Sequence, residues 1–348
     1  MTKGEIKMKK ILKNVPSLNS TGSVEEDFLF CACMRACMQF LNEDPVYDFV
    51  HFASVSGSFF NVVWYENPKW VYCEDITGPH DFQQHDEAVR KSFESVGYKC
   101  ELFHTDAIQS DQQLIMDKIK KSLNAGYPVL SFGIVGPPCC SLITGYDDEQ
   151  NTLYGWSKFQ DENNTDGFEP CGYFKKHNGL TEINQIVFFG EKITKPSIKE
   201  SYDNIIENLP EFLTTSSVKI GDKEAFLGIS AYEKWAEALE SDNDFVDDSK
   251  LPEQLDSHVS MLTQALVTSD YSIHFFNRAI EILPDKKDRI FKIIDYVEKE
   301  KQFFNEIIPF QEGFYFDQNK LMNSDFRKQL AKIIRKANEE LKNILSLY

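Results

Sequence analysis

Residues 133–148 read GIVGPPCCSLITGYDD, and the reading of this stretch decides the fold. Gly136-Pro137-Pro138 makes a rigid entry, because proline fixes φ and removes a backbone donor. Ser141–Tyr146 then reads as an apolar strand. The acidic run DDEQN turns the chain into a second strand at Thr152–Ser157, so the pair is expected to form a hairpin. Upstream, Pro128–Val135 gives another strand candidate, and residues 184–190 of INQIVFFGEK give a fourth.

Helical periodicity surrounds these strands. DFLFCACMRACMQFL, residues 27–41, is apolar on nearly every face and reads as a buried helix. HDEAVRKSFESVG sets Val89, Phe93 and Val96 at helical spacing and stops at Gly97, while DQQLIMDKIKKSLNAGYP sets Ile115, Ile119 and Leu123 on one stripe before Gly126 and Pro128. HFASVSGSFFNVVWY is rich in Val, Phe and Ser-Gly, which predicts extended chain around a tight turn at Ser56-Gly57.

The pattern changes near residue 198, after Pro196. ISAYEKWAEALES, HVSMLTQALVTSDYSIHFFNRAIEIL and RIFKIIDYVEKEKQFFNEIIPF are long amphipathic runs. The last segment opens on Asn323-Ser324-Asp325, good N-cap chemistry, and sets Phe326, Leu330, Ile333, Ala337, Leu341 and Ile344 on one face. The expected architecture is an α+β domain over 1–195 followed by an all-α region over 196–348.

A chain of 348 residues with 42% hydrophobic and 13% aromatic residues has the apolar content for a substantial core. Its formal charge of −18 argues against nucleic acid or an anionic membrane as partner, since both reward a basic face. The N-terminus MTKGEIKMKKILKNVPSL carries no apolar core of signal-peptide length, and no stretch approaches a membrane span. A soluble, cytoplasmic protein is the expectation, with its eight cysteines as thiols.

The chemistry candidates are those thiols. Cys31, Cys33 and Cys37 stand near the start of the first buried helix, where the helix dipole favours a thiolate, yet small cysteines at one-turn spacing also suit packing. Adjacent Cys139 and Cys140 point to opposite faces of a strand. C-x-C-x3-C lacks the usual zinc knuckle, and Cys73 with His80 and His85 is a scattered set, so no metal is assigned. Nucleotide-binding, hydrolase-elbow and zincin motifs are missing and no cofactor is called for.

The cysteine-bearing buried helix, the SG-x-x-F segment and PVLSFGIVG…LITGYDDEQNTLYGWSKFQ resemble papain-like cysteine peptidases, in particular the butirosin biosynthesis protein H-like group. GISAYEKWAEALESDNDF is similar to a segment that follows such domains in many bacterial proteins of that group. The resemblance covers roughly residues 20–190, and the helical part more loosely. It implies a papain-like fold and a cysteine nucleophile that forms an acyl-thioester with help from a histidine base, in peptide cleavage or acyl transfer. In family spacing the nucleophile falls near Leu29, with Cys31 two residues on; the histidine slot is Cys139; the orienting acid or amide falls at Trp156-Ser157. By resemblance Cys31 and Cys139 are the catalytic candidates, and Ser56, Gly57, Cys33, Cys140, Trp156 and Ser157 the ligand-binding ones.

Three functions fit this sequence. One is a degenerate papain-like domain that binds a small molecule, an acyl group (free or linked to a carrier protein) or a peptide without cleaving it. Another is a cysteine-dependent acyltransferase or amidase of secondary metabolism, working through a relocated dyad. The third is an interaction module that docks a partner through the acidic helical half. Homo-oligomerisation stays open.

Overall fold

Every residue of Cys140–Asp147, the strand β5, is buried. In the computed structural model, which describes residues 8–19, 24–60, 62–67, 69–70, 85–214, 217–220 and 223–348, β5 holds together the larger of two sheets. It pairs antiparallel with β4 (Val129–Phe132) through Phe132 opposite Cys140 and Val129 opposite Ile143. On its other edge it pairs with β6 (Thr152–Trp156). Its far end also receives β1 (Lys9–Ile11), Ile11 lying opposite Gly145. With β3 (Tyr98–His104), β7 (Phe174–His177) and β8 (Gln185–Lys192) the sheet runs β3-β8-β4-β5-β6-β7, all pairs antiparallel. The expected hairpin is therefore β5–β6, with a register shift between Ile143 and Gly145.

Helix α1 (Leu29–Phe40) packs against β5. It contains no glycine, proline or β-branched residue, and every position from Leu29 to Met38 is buried. A helix apolar all round belongs inside a core, and its one charge must then be satisfied internally. Arg35 meets that demand: Nε and Nη2 donate to Glu26 Oε2 at 3.0 and 2.7 Å, Nη1 donates to Gln39 Oε1 at 3.0 Å, and Nη2 also reaches the carbonyls of Ser17 and Asn19. The planar fork of arginine matches such a multiple acceptor set, which a lysine could not reproduce. Also in this unit are α3 (His85–Ser95), α4 (Thr105–Ser110) and α5 (Gln112–Asn124). The last buries Ile115, Ile119 and Leu123, the stripe its spacing predicts, and its Asp111 cap accepts from the Leu114 N–H.

Helix α2 (Phe49–Val55) corrects the expectation of extended chain. Phe49, Val50, Phe52 and Ala53 are buried at helical spacing, and the Asp48 carboxylate accepts from the His51 N–H at 3.1 Å, an N-terminal cap. Ser56-Gly57 is the end of that helix. Gly57 has φ +78 and donates to the Ser54 carbonyl at 3.0 Å, which is the left-handed glycine stop of many helices.

By compactness the chain forms two units, residues 1–52 with 86–196, and residues 53–85 with 197–348. Residues 53–85, placed with the first domain by the division at 195, group with the second unit. That unit is not all-α. Within it β2 (Val63–Asn67), β10 (Lys223–Leu227) and β9 (Ser217–Ile220) form an antiparallel sheet in the order β2-β10-β9. Its helices are α6 (Ile198–Glu207), α7 (Leu209–Thr214), α8 (Gly228–Glu240), α9 (Leu251–Ile282), α10 (Lys287–Gln311) and α11 (Ser324–Leu345). Along α11 the buried positions include Arg327, Leu330, Ile334, Ala337, Leu341 and Ile344, so the core stripe carries Arg327 and Ile334 where Phe326 and Ile333 were expected. Arg327 earns its burial through donors to the Leu239 and Leu321 carbonyls, an ion pair with Asp242, and the Phe245 ring 4.2 Å away.

Gly155 of β6 tests the tightness of the sheet, because a Cβ there would overlap the Leu142 carbonyl oxygen and press on Phe174. Gly155→Ala is expected to cost about 3 kcal/mol, the upper end of overpacking penalties, read as a lowered denaturant midpoint of the first unit.

Candidate functional site

The junction of α1 with β5 gathers most of the cysteines that the sequence singled out. The loop feeding β5 is held by its own backbone: Gly133 and Gly136 have φ +87 and +77, Gly133 N–H donates to the Cys139 carbonyl at 3.3 Å, and Cys139 N–H donates to the Pro137 carbonyl at 2.6 Å. Cys139 is 2% exposed and Cys140 1%, while Cys31, Cys33 and Cys37 are fully buried.

Cys140 faces α1. Burial pushes its thiol well above the ordinary range, and a hydrogen bond with Cys33, together with neighbouring Cys37 and Cys139, pushes it the same way. Burial likewise raises Cys37 well above its usual value, with Cys33 adding to the rise and Arg35 opposing it. Desolvation disfavours a thiolate, so these two groups are neutral thiols at neutral pH. No disulfide joins the described cysteines, and of these Cys171 is the exposed one. The structure thus brings Cys33, Cys37, Cys139 and Cys140 together, and places Cys31 in the interior as the third residue of α1.

The histidines of this unit engage other groups. His51 Nε2 lies 3.0 Å from Ser95 Oγ, with Tyr47 and Phe52 edge-on to its ring. His104 meets Asp86 at 3.1 Å on an exposed strand end, and His177 Nδ1 lies 2.6 Å from Thr152 Oγ1.

The other sequence candidates have structural work. Trp156 Nε1 donates to the Val15 carbonyl at 2.9 Å, and its ring stands edge-on to Tyr173. Tyr173 in turn donates to the Leu12 carbonyl and accepts from Val15 N–H. Together these two rings fasten the segment that follows β1. Ser157 shapes the turn after β6, its Oγ donating to the Val135 carbonyl and accepting from Phe159 N–H. Ser56 and Gly57 belong to the second unit. Ser56 Oγ lies 2.8 Å from Ser58 Oγ, and a Cβ on Gly57 would sit 3.0 Å from the Phe212 ring.

Cys73 and His80 lie outside the described residues, as does the side chain of His85. Among the described residues no three His, Cys, Asp or Glu side chains are placed to hold a metal ion. No helix among them is long and apolar enough to cross a membrane.

One recess escaped sequence reasoning. Past the C-terminal end of α1 a cavity of about 330 Å³ is lined by residues including Met38, Gln39, Glu43, Tyr47 and Asp48. The Lys195 ammonium sits over the Tyr47 ring at 4.8 Å and pairs with Glu43 at 3.0 Å. Its signal in the sequence is NEDPVYD, a turn-forming break directly after the apolar helix.

No protein-family model, curated protein or solved structure matches this chain.

A structural role for Trp156 predicts that Trp156→Phe, which keeps the ring and loses the donor to Val15, costs about 1 kcal/mol, the net worth of one hydrogen bond. The readouts are the denaturant midpoint and faster proteolytic cleavage between residues 12 and 19.

Proposed function

We propose that the first unit is a degenerate papain-like domain, related in layout to the butirosin biosynthesis protein H-like group, that binds a small molecule, an acyl group or a peptide without breaking a bond in it. The observation that carries this reading is the burial of Cys31, the thiol nearest the family's nucleophile slot. An acyl-thioester mechanism needs a thiolate that substrate can reach and a base to exchange its proton. Cys31 is fully buried and Cys139, in the histidine slot, is 2% exposed. A thiol in place of an imidazole lacks the neutral-range titration that makes histidine a proton shuttle.

The described partners of His51, His104 and His177 are a hydroxyl, a carboxylate and a hydroxyl, which supports the same reading. The recess past α1 offers a small ligand space without calling on any thiol. A cysteine-dependent acyltransferase or amidase would need an exposed thiol beside one of these imidazoles, and no described contact favours it.

Incubation with an acyl thioester of N-acetylcysteamine tests the proposal. The expected outcome is no thiol release above the buffer rate and no acyl adduct in the intact mass. Any ligand-induced rise in melting temperature is expected to be the same in Cys31→Ala and Cys139→Ala. Turnover or an adduct that either substitution abolishes would overturn the reading.

A further inference from the structure

The stripe of α10 that faces its neighbours is Ile293, Val297, Glu300, Phe304, Ile307 and Gln311, all buried and spaced four and three residues apart. A carboxyl group therefore stands at a core position. Glu300 is 3% exposed. Its Oε1 accepts from Tyr232 of α8 at 2.8 Å, and its Oε2 lies 3.4 Å from Ser269 Oγ of α9. The Ser269 hydroxyl lies within donor reach of both the Ala265 carbonyl, at 2.6 Å, and this carboxyl oxygen. The carboxyl of α10 is thus met by one hydroxyl from α8 and one from α9.

Among the described residues no cation pairs with this group. Tyr232 and Ser269 are its described hydrogen-bond partners, and both are neutral. The charged neighbours in sequence, Asp270 on α9 and Lys301 on α10, pair with each other at half-exposed positions. On α11, Arg335 pairs with Glu240, and the Lys336 ammonium lies over the Phe303 ring. His258 of α9 stays neutral, since burial lowers it to about 4; its Nδ1 accepts from Trp235 Nε1, and its Nε2–H donates to Gln311 Oε1. An ionised carboxylate buried without a counter-charge costs several kcal/mol.

We propose that Glu300 is a protonation latch of the second unit: as a neutral acid it ties α8, α9 and α10 together, and on losing its proton it loosens them. Burial raises its ionisation to about 8. A folded-state value above the unfolded one means the folded chain holds a proton that the unfolded chain has shed. The latch is at full strength below the ordinary carboxyl range and is lost as pH rises towards 8. His258 acts with the opposite sign, its stabilisation present above about 6.5 and lost on acidification. The two effects offset each other near pH 5–6, and Glu300 governs from about 6.5 upward.

Hydrogen exchange on the full chain, corrected for the intrinsic pH dependence of exchange, tests the latch. Wild-type protection in α8, α9 and α10 is expected to fall about tenfold between pH 6.5 and 8 and then level off. Glu300→Gln, which keeps the shape and cannot ionise, is expected to stay flat. If that variant fails to fold, the infrared carbonyl band of a buried carboxylic acid in the wild type decides: it is expected at pH 6.5 and lost above pH 9. Tyr232→Phe removes the donor that favours the ionised form, and should move the loss of that band to higher pH. Equal pH slopes in wild type and Glu300→Gln, or no such band at pH 6.5, would overturn the proposal.

Discussion

The enclosure of β5 is the constraint on which the first unit depends. It is hydrogen-bonded along both edges, extended at its far end by β1, and covered by α1. A strand buried on all sides cannot tolerate exposed chemistry at its ends without opening the core. Its first residue, Cys140, accordingly points into apolar surroundings beside Cys33 and Cys37. Small thiols fill the narrow space between helix and strand as weak hydrogen-bonding groups that pack like hydrocarbon. The physical demands of this core and those of a nucleophile are opposed, and burial favours the core.

The second unit buries polar groups as the first buries Arg35, by matching them internally. There a carboxyl, an imidazole and a guanidinium all sit at core positions of long helices. Each is accommodated by donors and acceptors that match it one for one: Glu300 by Tyr232 and Ser269, His258 by Trp235 and Gln311, Arg327 by two carbonyls and Asp242. Satisfied networks of this kind fix helix register more sharply than apolar side chains, which can slide past one another.

Much of the first unit was legible in the sequence, for identifiable reasons. Turn chemistry at Pro137-Pro138 and DDEQN bounded β5 and β6, and helical spacing with glycine stops marked α3 and α5. The α2 segment reads as extended because Val and Phe carry β propensity and Ser-Gly marks a turn, while the decisive cap by Asp48 lies one residue before the helix. Strands β9 and β10 are four and five residues long, and β10 gains one of its partners only from β2, far away in sequence. The α11 stripe slipped by one position because Arg327 reads as surface until its acceptors on α8 and the following turn are known. Glu300 is hidden for the same reason, since VEKEKQ looks solvated. At the thiols, the sequence located Cys139 and Cys140 but could not tell that they face a closed interior.

Alkylation of the native chain tests the central claim most directly. Iodoacetamide at neutral pH, followed by peptide mass analysis, should label Cys171 readily. Cys31, Cys33, Cys37, Cys139 and Cys140 should react only after the chain is unfolded. Labelling of Cys31 or Cys139 in the folded protein as fast as Cys171 would contradict a packing role for these thiols and return the site to catalysis.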